Sequence, residues 1–430
     1  MLSSSRDSLS NSQLRRENKS LASSAESLRV TVRCRPLSAK EIARLPLEPL
    51  PTTFPTPFLP GISTSSTNGA SQHLGNGQPP IRHIVSVLNE KVLVFDPPEK
   101  NATQSTYHVP GTKRFKNIPY TFDRVFDENA TQQEVYENTT KPLIEGVLNG
   151  FNATVFAYGA TGCGKTHTIT GTQNDPGVIF RTMRDLFQCI RDSRNDRITE
   201  ASVSYLEVYN ETIRDLLAPD SAPPTGLELR EDDVSVQVSG LSHHSPRDVD
   251  HIMRLLINGN NNRTRAPTEA NEASSRSHAV LQIHVRTKDR MAGTHASWNT
   301  AVLSIIDLAG SERASVTKNR GDRLQEGAKI NRSLLALGNC INALCNPATS
   351  SHVPYRDSKL TRLLKYSLGG NCRVVMIAAV SPASIHYEET HNTLQYANRA
   401  KNIRTKIQKN TVDVDSHIGE YGKIIEVRNL

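Results

Sequence analysis

The stretch Phe151 to Gly171, FNATVFAYGATGCGKTHTITG, constrains this chain more than any other. Its centre is Gly159-Ala160-Thr161-Gly162-Cys163-Gly164-Lys165-Thr166, two glycines separated by four residues and followed by a lysine and a hydroxyl residue. This is the phosphate-cradling P-loop pattern. Glycine lets the backbone turn tightly and approach a phosphate with no Cβ in the way. The turn aims successive N–H groups inward, and the following helix adds its positive N-terminal end. Lys165 is placed to reach the β- and γ-phosphates, and Thr166 to put its hydroxyl on Mg²⁺. The apolar, β-branched run Ala153 to Ala157 before the loop and the helix-compatible segment after Lys165 supply the required context. A chance match is expected about once in a hundred chains of this length.

The 430 residues suffice for one large domain or for two to three small ones. Hydrophobic content is low at 36%. The deficit is local, because Glu48 to Arg82 contains no charged residue between its ends and is rich in Pro, Gly, Ser, Thr and Asn. Such a low-complexity insertion cannot bury enough surface to order itself. No apolar run approaches membrane-spanning length, and the polar, Ser-rich N-terminus has no secretory h-region. Six scattered cysteines form no CxxC pair, so neither a zinc site nor a disulfide framework is expected. Cys34 and Cys163 read as small buried residues. The net charge of +8 suggests an acidic partner surface. Nucleic acid is not expected, since no RRM, zinc-finger or helix-turn-helix signature is present.

Residues 1 to 25 read as a disordered extension. Strands are expected at Ser27 to Cys34, Ile84 to Val87 and Lys91 to Phe95, before a long polar loop from Pro97 to Pro119 that carries Lys113, Arg114 and Lys116. From Tyr120 strands and helices alternate. The expected helices are Gln132 to Leu148, the segment after the P-loop, a helical turn from Glu211 to Leu217, a helix capped by Ser245 and Pro246 that runs to Asn258, Leu324 to Leu344, Lys359 to Leu368 and Thr390 to Asn402. The expected strands are Ala201 to Tyr209, His278 to Arg286, Thr300 to Leu308 and Arg373 to Val380. This alternation predicts an α/β domain over residues 26 to 402, with helices on both faces of a sheet.

Two further segments belong with the P-loop. Asp307-Leu308-Ala309-Gly310-Ser311-Glu312 ends an apolar strand. A carboxylate at that strand end suits the second shell of Mg²⁺, and Gly310 could offer its N–H to a γ-phosphate. Asn271-Glu272-Ala273-Ser274-Ser275-Arg276-Ser277-His278 clusters hydroxyls with an arginine, which are ligands for Mg²⁺ and phosphate.

AYGATGCGKT, NEASSRSH and DLAGSE, in this order and spacing, resemble the P-loop, switch I and switch II of kinesin motor domains. The resemblance covers residues 27 to 410 and includes Arg33-Cys34-Arg35-Pro36 and His352 to Leu364. It implies a P-loop NTPase fold with a central, mostly parallel, eight-stranded sheet. It implies ATP and Mg²⁺ as cofactors, with Arg33, Arg35, Pro36 and His167 around the nucleotide, Thr166 and Ser275 on Mg²⁺, and Asp307 on Mg²⁺ through water. Asn271, Ser274, Gly310, Arg276 and Glu312 would serve catalysis. Arg276 and Glu312 would form a salt bridge that closes on ATP and orders the attacking water, so the chemistry is positioning plus electrostatics. Glu312 is the only strong base available, and it would act through water.

The resemblance also implies a microtubule track, contacted by Ala314 to Leu344, by Ser350 to Lys365 and by Lys113, Arg114 and Lys116. Arg313, Lys318, Arg320, Arg323, Lys329, Arg356, Lys359 and Arg362 supply charge along these segments. Asn346 to Ser351 carries no lysine, a departure from motors with a lysine-rich loop there. The form ATGCGKTHT, the long basic loop, and SLGGNC followed by MIAAVSP and YANRAKNI resemble the eighth kinesin subfamily, plus-end-directed motors that regulate microtubule length. Residues 403 to 430 would hold a neck linker and the start of a neck. This fragment is expected to be a monomer, and the full-length protein a homodimer. The implied location is the cytoplasm and the microtubule cytoskeleton, including the spindle, with nuclear entry in mitosis. The competing readings are a motor that translocates without depolymerising, a nucleotide-regulated microtubule scaffold without turnover, and a GTPase. No Asn-Lys-x-Asp guanine-reading motif supports the last.

Overall fold

The computed structural model describes residues 24–46, 80–97, 117–221, 223, 225–232, 235–264, 273–291, 297–312, 322–345 and 352–412. Most of the low-complexity insertion, the basic loop with Lys113, Arg114 and Lys116, Asn271, and Arg313, Lys318 and Arg320 lie outside the described residues. So do residues 413–430.

The strands are β1 (Ser24–Ser27), β2 (Arg29–Cys34), β3 (Val85–Val87), β4 (Val92–Phe95), β5 (Ile118–Thr121), β6 (Arg124–Phe126), β7 (Ala153–Tyr158) and β8 (Arg197–Tyr209). They continue with β9 (Thr212–Asp215), β10 (Glu228–Glu231), β11 (Val236–Ser239), β12 (His278–Asp289), β13 (Trp298–Asp307), β14 (Arg373–Val380), β15 (Arg404–Ile407) and β16 (Thr411–Val412). Eight of them line up in the order β6-β2-β14-β7-β13-β12-β8-β9, and β16 adds beside β13. The α/β reading of the sequence holds. The sheet, however, is mixed. Every pairing from β6 to β13 is parallel, and every pairing from β13 to β9 is antiparallel. Connection length explains the change, because the direct hairpin links β8–β9 and β12–β13 leave no room for the crossover that parallel neighbours need.

The central strands are apolar on both faces. In β14, Val374, Met376 and Ala378 join one buried cluster while Val375 and Ile377 join the other. Alternation of side chains across a strand therefore feeds two cores from one sequence run. The first core packs under Leu334, Leu337 and Ile341 of the helix Asp322–Cys345 and Leu394 and Ala397 of the helix Tyr387–Ala400. The second packs under Val135, Leu143 and Ile144 and under Met183 and Leu186 of the helix Val178–Asp192.

Several elements differ from the sequence reading. Glu211 to Leu217 is not helical: Asn210 and Glu211 both adopt positive φ, 53° and 61°, and form the tight turn that folds β9 back onto β8. The predicted helix Gln132 to Leu148 is two helices, Gln132–Thr139 and Lys141–Leu148, parted at Thr140 just ahead of Pro142. Lys359 to Leu368 divides likewise into Lys359–Leu363 and Lys365–Leu368. The helix expected from Ser245 starts at Val249 and runs to Thr264, with the Asp248 carboxylate accepting the His251 N–H at 2.7 Å as its cap. Ser24 and Ala25, expected to be disordered, belong to β1, which pairs antiparallel with β15.

The C-terminal strands are tied down along the sheet. Asn410 donates its N–H to the Gly150 carbonyl at 2.9 Å and accepts the Thr300 N–H at 3.0 Å. The Asn371 amide donates to the Asn410 side chain at 2.8 Å. Beyond it, Val412 lies opposite Trp298, whose ring carries the Arg286 guanidinium at 5.0 Å and the Lys288 ammonium at 4.7 Å.

Candidate nucleotide site

β7 runs straight into the P-loop, and the loop's geometry follows from its glycines. A Cβ on Gly159 would come within 2.2 Å of the Ala379 carbonyl oxygen on the neighbouring strand. Gly164 caps the helix Lys165–Ile169 in the left-handed region, at φ 95°, and a Cβ there would meet nothing closer than 3.9 Å. The backbone conformation, rather than crowding, calls for glycine at this second position, and the concave side of the loop stays open to a phosphate. Ala160, Thr161 and Cys163 complete the loop. The Cys163 thiol is buried, and its pKa is pushed up to about 11. Cys34 is also buried and its pKa raised, so both remain neutral thiols, as expected.

Lys165 is buried, and its ammonium donates to the Ala160 carbonyl at 2.9 Å across the loop. Burial lowers its pKa against the pull of Asp307 and Glu312. The Thr166 hydroxyl donates to Asp307 Oδ2 at 2.8 Å. That same oxygen accepts Nη1 of Arg263 at 2.9 Å, and both side chains are only 3% exposed. Asp307 Oδ1 is buried without a hydrogen-bond partner. A hydroxyl beside an orphaned carboxylate oxygen is a hard-oxygen donor set, and it fits a magnesium ion that keeps part of its water shell.

Three motif segments are laced together through their backbones. The Gly310 N–H donates to the Ser275 carbonyl at 2.8 Å, and the Ser311 N–H donates to the Gly159 carbonyl at 3.0 Å. Ser275 and Arg276 lie in the short helix Ala273–Arg276, which also includes the backbone of Ser274. A Cβ on Gly310 would stand 2.2 Å from the Thr161 hydroxyl, so a larger residue there would displace the Thr161 and Glu312 side chains. Glu312 differs from the reading based on resemblance. Both of its oxygens accept from Thr161, one from the N–H at 2.8 Å and the other from the hydroxyl. The carboxylate is thus held on the P-loop and not on Arg276.

Around the expected nucleoside end, Arg33 donates to Gln132 at 2.8 Å and to Thr168 at 3.0 Å. Gln132 in turn donates to the His167 carbonyl at 2.6 Å. Arg33 and His167 are therefore brought together through Gln132, and Pro36 is exposed. Arg35 is directed elsewhere, since its guanidinium forms a bidentate pair with Glu41 at 2.7 Å on both arms. That bond, more than any other contact, holds the Glu41 carboxyl down to about 2.

Gln132, Glu41 and Arg263 were missed in the sequence because each acts as a partner of a motif residue and none has a motif of its own. Their signal is contextual. Arg263 is near the C-terminal end of the helix Val249–Thr264, and only folding brings it to Asp307.

Of the residues expected to face a track, Arg356 is exposed, and Lys359 and Arg362 are half-buried. Arg362 and Lys365 both pair with Glu231 on the β10–β11 hairpin, Arg362 at 3.8 Å. Arg323 and Lys329 lie on the helix Asp322–Cys345.

Residues 64–403 match the family model described as the kinesin motor domain. Kinesin-like protein 5 of Schizosaccharomyces pombe is 53% identical over 425 residues, which is 94% of this chain and 46% of that protein. Kinesin-like protein KIP3 of Saccharomyces cerevisiae is 52% identical over 80% of this chain and 47% of its own length. Kinesin-like protein KIF18A of Mus musculus is 51% identical over 80% of this chain and 39% of its own length. The chain thus spans about half the length, or less, of these relatives. A solved fast kinesin, described for its ATPase mechanism and interactions with microtubules, superposes with a TM-score of 0.71 at 35% identity, covering 90% of this chain and 94% of that one. The family resemblance of the sequence is borne out on both counts, by sequence and by fold. The chain belongs to the kinesin motor domain family.

Proposed function

We propose that this chain hydrolyses ATP on microtubules and converts closure of its switch segments into plus-end-directed movement, and that it also shortens or restrains microtubule ends. The observation that carries the reading is the meeting of Thr166, the orphaned Asp307 oxygen, and the backbone lacing of Gly159, Ser275 and Gly310. That meeting supports reading the P-loop as a phosphate cradle, Thr166 with Asp307 as a magnesium position, and the Ser275 and Gly310 segments as nucleotide sensors. The residues have distinct roles. The P-loop N–H groups and Lys165 bind the phosphates. Thr166 and Ser275 would hold Mg²⁺ directly and Asp307 would hold it through water, and the ion would supply positive charge against the phosphates. Arg33, Pro36 and His167 flank the base.

The Gly310 N–H, here on Ser275, would turn to the γ-phosphate. Glu312 would leave Thr161 for Arg276 and orient the attacking water, with Ser274 and Asn271 beside it. β15, paired with β1, and β16, paired with the start of β13, would be the neck linker in its docked path. The microtubule contacts are assigned to 314–344, 350–365 and the loop with Lys113, Arg114 and Lys116. The place of action is the cytoplasmic and spindle microtubule array, with nuclear entry in mitosis and with the full-length protein a homodimer. None of the described helices is long and apolar enough to cross a membrane.

The test is to image labelled, stabilised microtubules with this chain and Mg-ATP against an ATP-free control. Shortening from the ends supports the whole reading. Decoration or gliding without shortening leaves a translocating motor and removes end regulation from this chain. Absence of binding overturns the microtubule assignment. Neutralising Lys113, Arg114 and Lys116 should impair action at ends more than lattice-stimulated ATPase, and an equal loss of both would reduce the loop to a general charge contact.

A further inference from the structure

His278 begins β12 and is fully buried, outside the phosphate and magnesium ligands described above. Both of its ring nitrogens are used, and they face different elements. The Ala309 N–H, one residue before Gly310, donates to Nδ1 at 3.1 Å. Nδ1 is therefore the unprotonated nitrogen. Nε2 carries the proton and donates to the Ser333 hydroxyl at 2.8 Å. Burial, with Arg263 and Lys165 close by, drives the ring's pKa down to about 3 and keeps it neutral.

Ser333 is on the inner face of the helix Asp322–Cys345, beside Leu334 and Leu337, which anchor that helix to the core. Arg332 and Leu335 are exposed on the other side, and Leu335 is 66% accessible. One rigid, neutral ring thus stands between the loop that carries Gly310 and Glu312 and the inner face of a helix that exposes Arg332 and Leu335 on its other side. A water or a flexible side chain at this position would absorb a shift of the loop. A planar ring bonded at both edges passes the shift on.

We propose that His278 is the positioning residue that couples the phosphate-sensing loop to the helix Asp322–Cys345, with Ser333 as its receiving group on the helix. This inference rests on the motor reading above and adds a specific conduit to it.

The chemistry of the two nitrogens supplies the test. In His278→Asn, the amide oxygen can take the place of Nδ1 and accept from Ala309, while the shorter side chain cannot reach Ser333. Ser333→Ala removes the same link from the other side. Each variant should bind ATP normally and keep its basal ATPase within about twofold. Each should lose roughly tenfold in microtubule-stimulated kcat, with the half-saturating microtubule concentration unchanged. The double variant should be no worse than either single one, because all three lack one link.

A second readout needs no microtubules. Amide exchange across residues 322–345 should differ between the nucleotide-free protein and the protein with a non-hydrolysable ATP analogue, and Ser333→Ala should abolish the difference. Full stimulation and a retained exchange response in Ser333→Ala overturn the proposal. So do additive losses, or a basal rate that falls in parallel with the stimulated one. A wild-type protein that microtubules do not stimulate would overturn the motor reading alone, and the exchange response would then decide the coupling.

Discussion

Single residues divide here into those that bind and those that hold the binders in place. Lys165 has its ammonium folded onto the loop's own carbonyl, so the loop carries its positive charge before any phosphate arrives. Replacing it with alanine should abolish nucleotide binding, as read by fluorescent-nucleotide titration; unchanged affinity would remove the phosphate-cradle assignment. Glu312 is different. It is parked on Thr161, and its proposed work begins only when it moves. Glu312→Ala should leave ATP binding intact and lower turnover by two orders of magnitude or more, in line with removal of a group that acts on the attacking water. Wild-type turnover in a single-turnover assay would refute that role. The P-loop was legible in the sequence because glycine and lysine at fixed spacing have few other uses. The Arg263–Asp307 pair was not, because Arg263 lies beyond Asn258, where the sequence reading ended its helix, and it has no motif of its own.

Among the elements, the sequence pattern predicted best where the burial period is simple. β7 and β14 are predominantly apolar and were found almost to the residue. It failed where one residue redirects the chain, as at Thr140 before Pro142 or at the Asn210-Glu211 turn. β1 was illegible for another reason. Ser24–Ser27 is polar and becomes a strand only because β15, nearly 400 residues later, offers it an edge. The prediction at this scale follows from that dependence. A chain that begins at residue 28 should bind nucleotide as before, while amide exchange at Thr405 and Ile407 rises tenfold or more, because their strand loses its partner. Unchanged protection there would show that β1 does not hold β15 in place.

The whole molecule carries a pH signature that its parts do not advertise. His278 and His284 are held neutral with pKa values of about 3 and about 4, His278 chiefly by burial, with Arg263 and Lys165 adding to it, and His284 by burial and His243. The unfolded chain takes up a proton at each near pH 6.5, and the folded chain does not. Stability should therefore be flat above about pH 6.5 and fall below it, by roughly 1.4 kcal/mol per pH unit for each histidine until its folded pKa is reached. Thermal unfolding compared at pH 7.5 and 5.5 checks this, and His284→Asn should remove about half of the difference. A melting temperature independent of pH over that range would mean that the histidines are solvated. This sensitivity could not be read from the sequence, where fourteen histidines look alike until burial separates them.

Trp298 is the chain's only tryptophan, and it sits where β13 receives Val412. Its indole already rests beneath two cations on one side of that junction. The protein thus contains its own optical gauge. Release of β16 would bare the backbone next to the only indole in the molecule, and its emission would shift red with no label attached. If β16 leaves and returns during turnover, as the proposed function implies, ordinary stopped-flow fluorescence would time both events on unmodified protein.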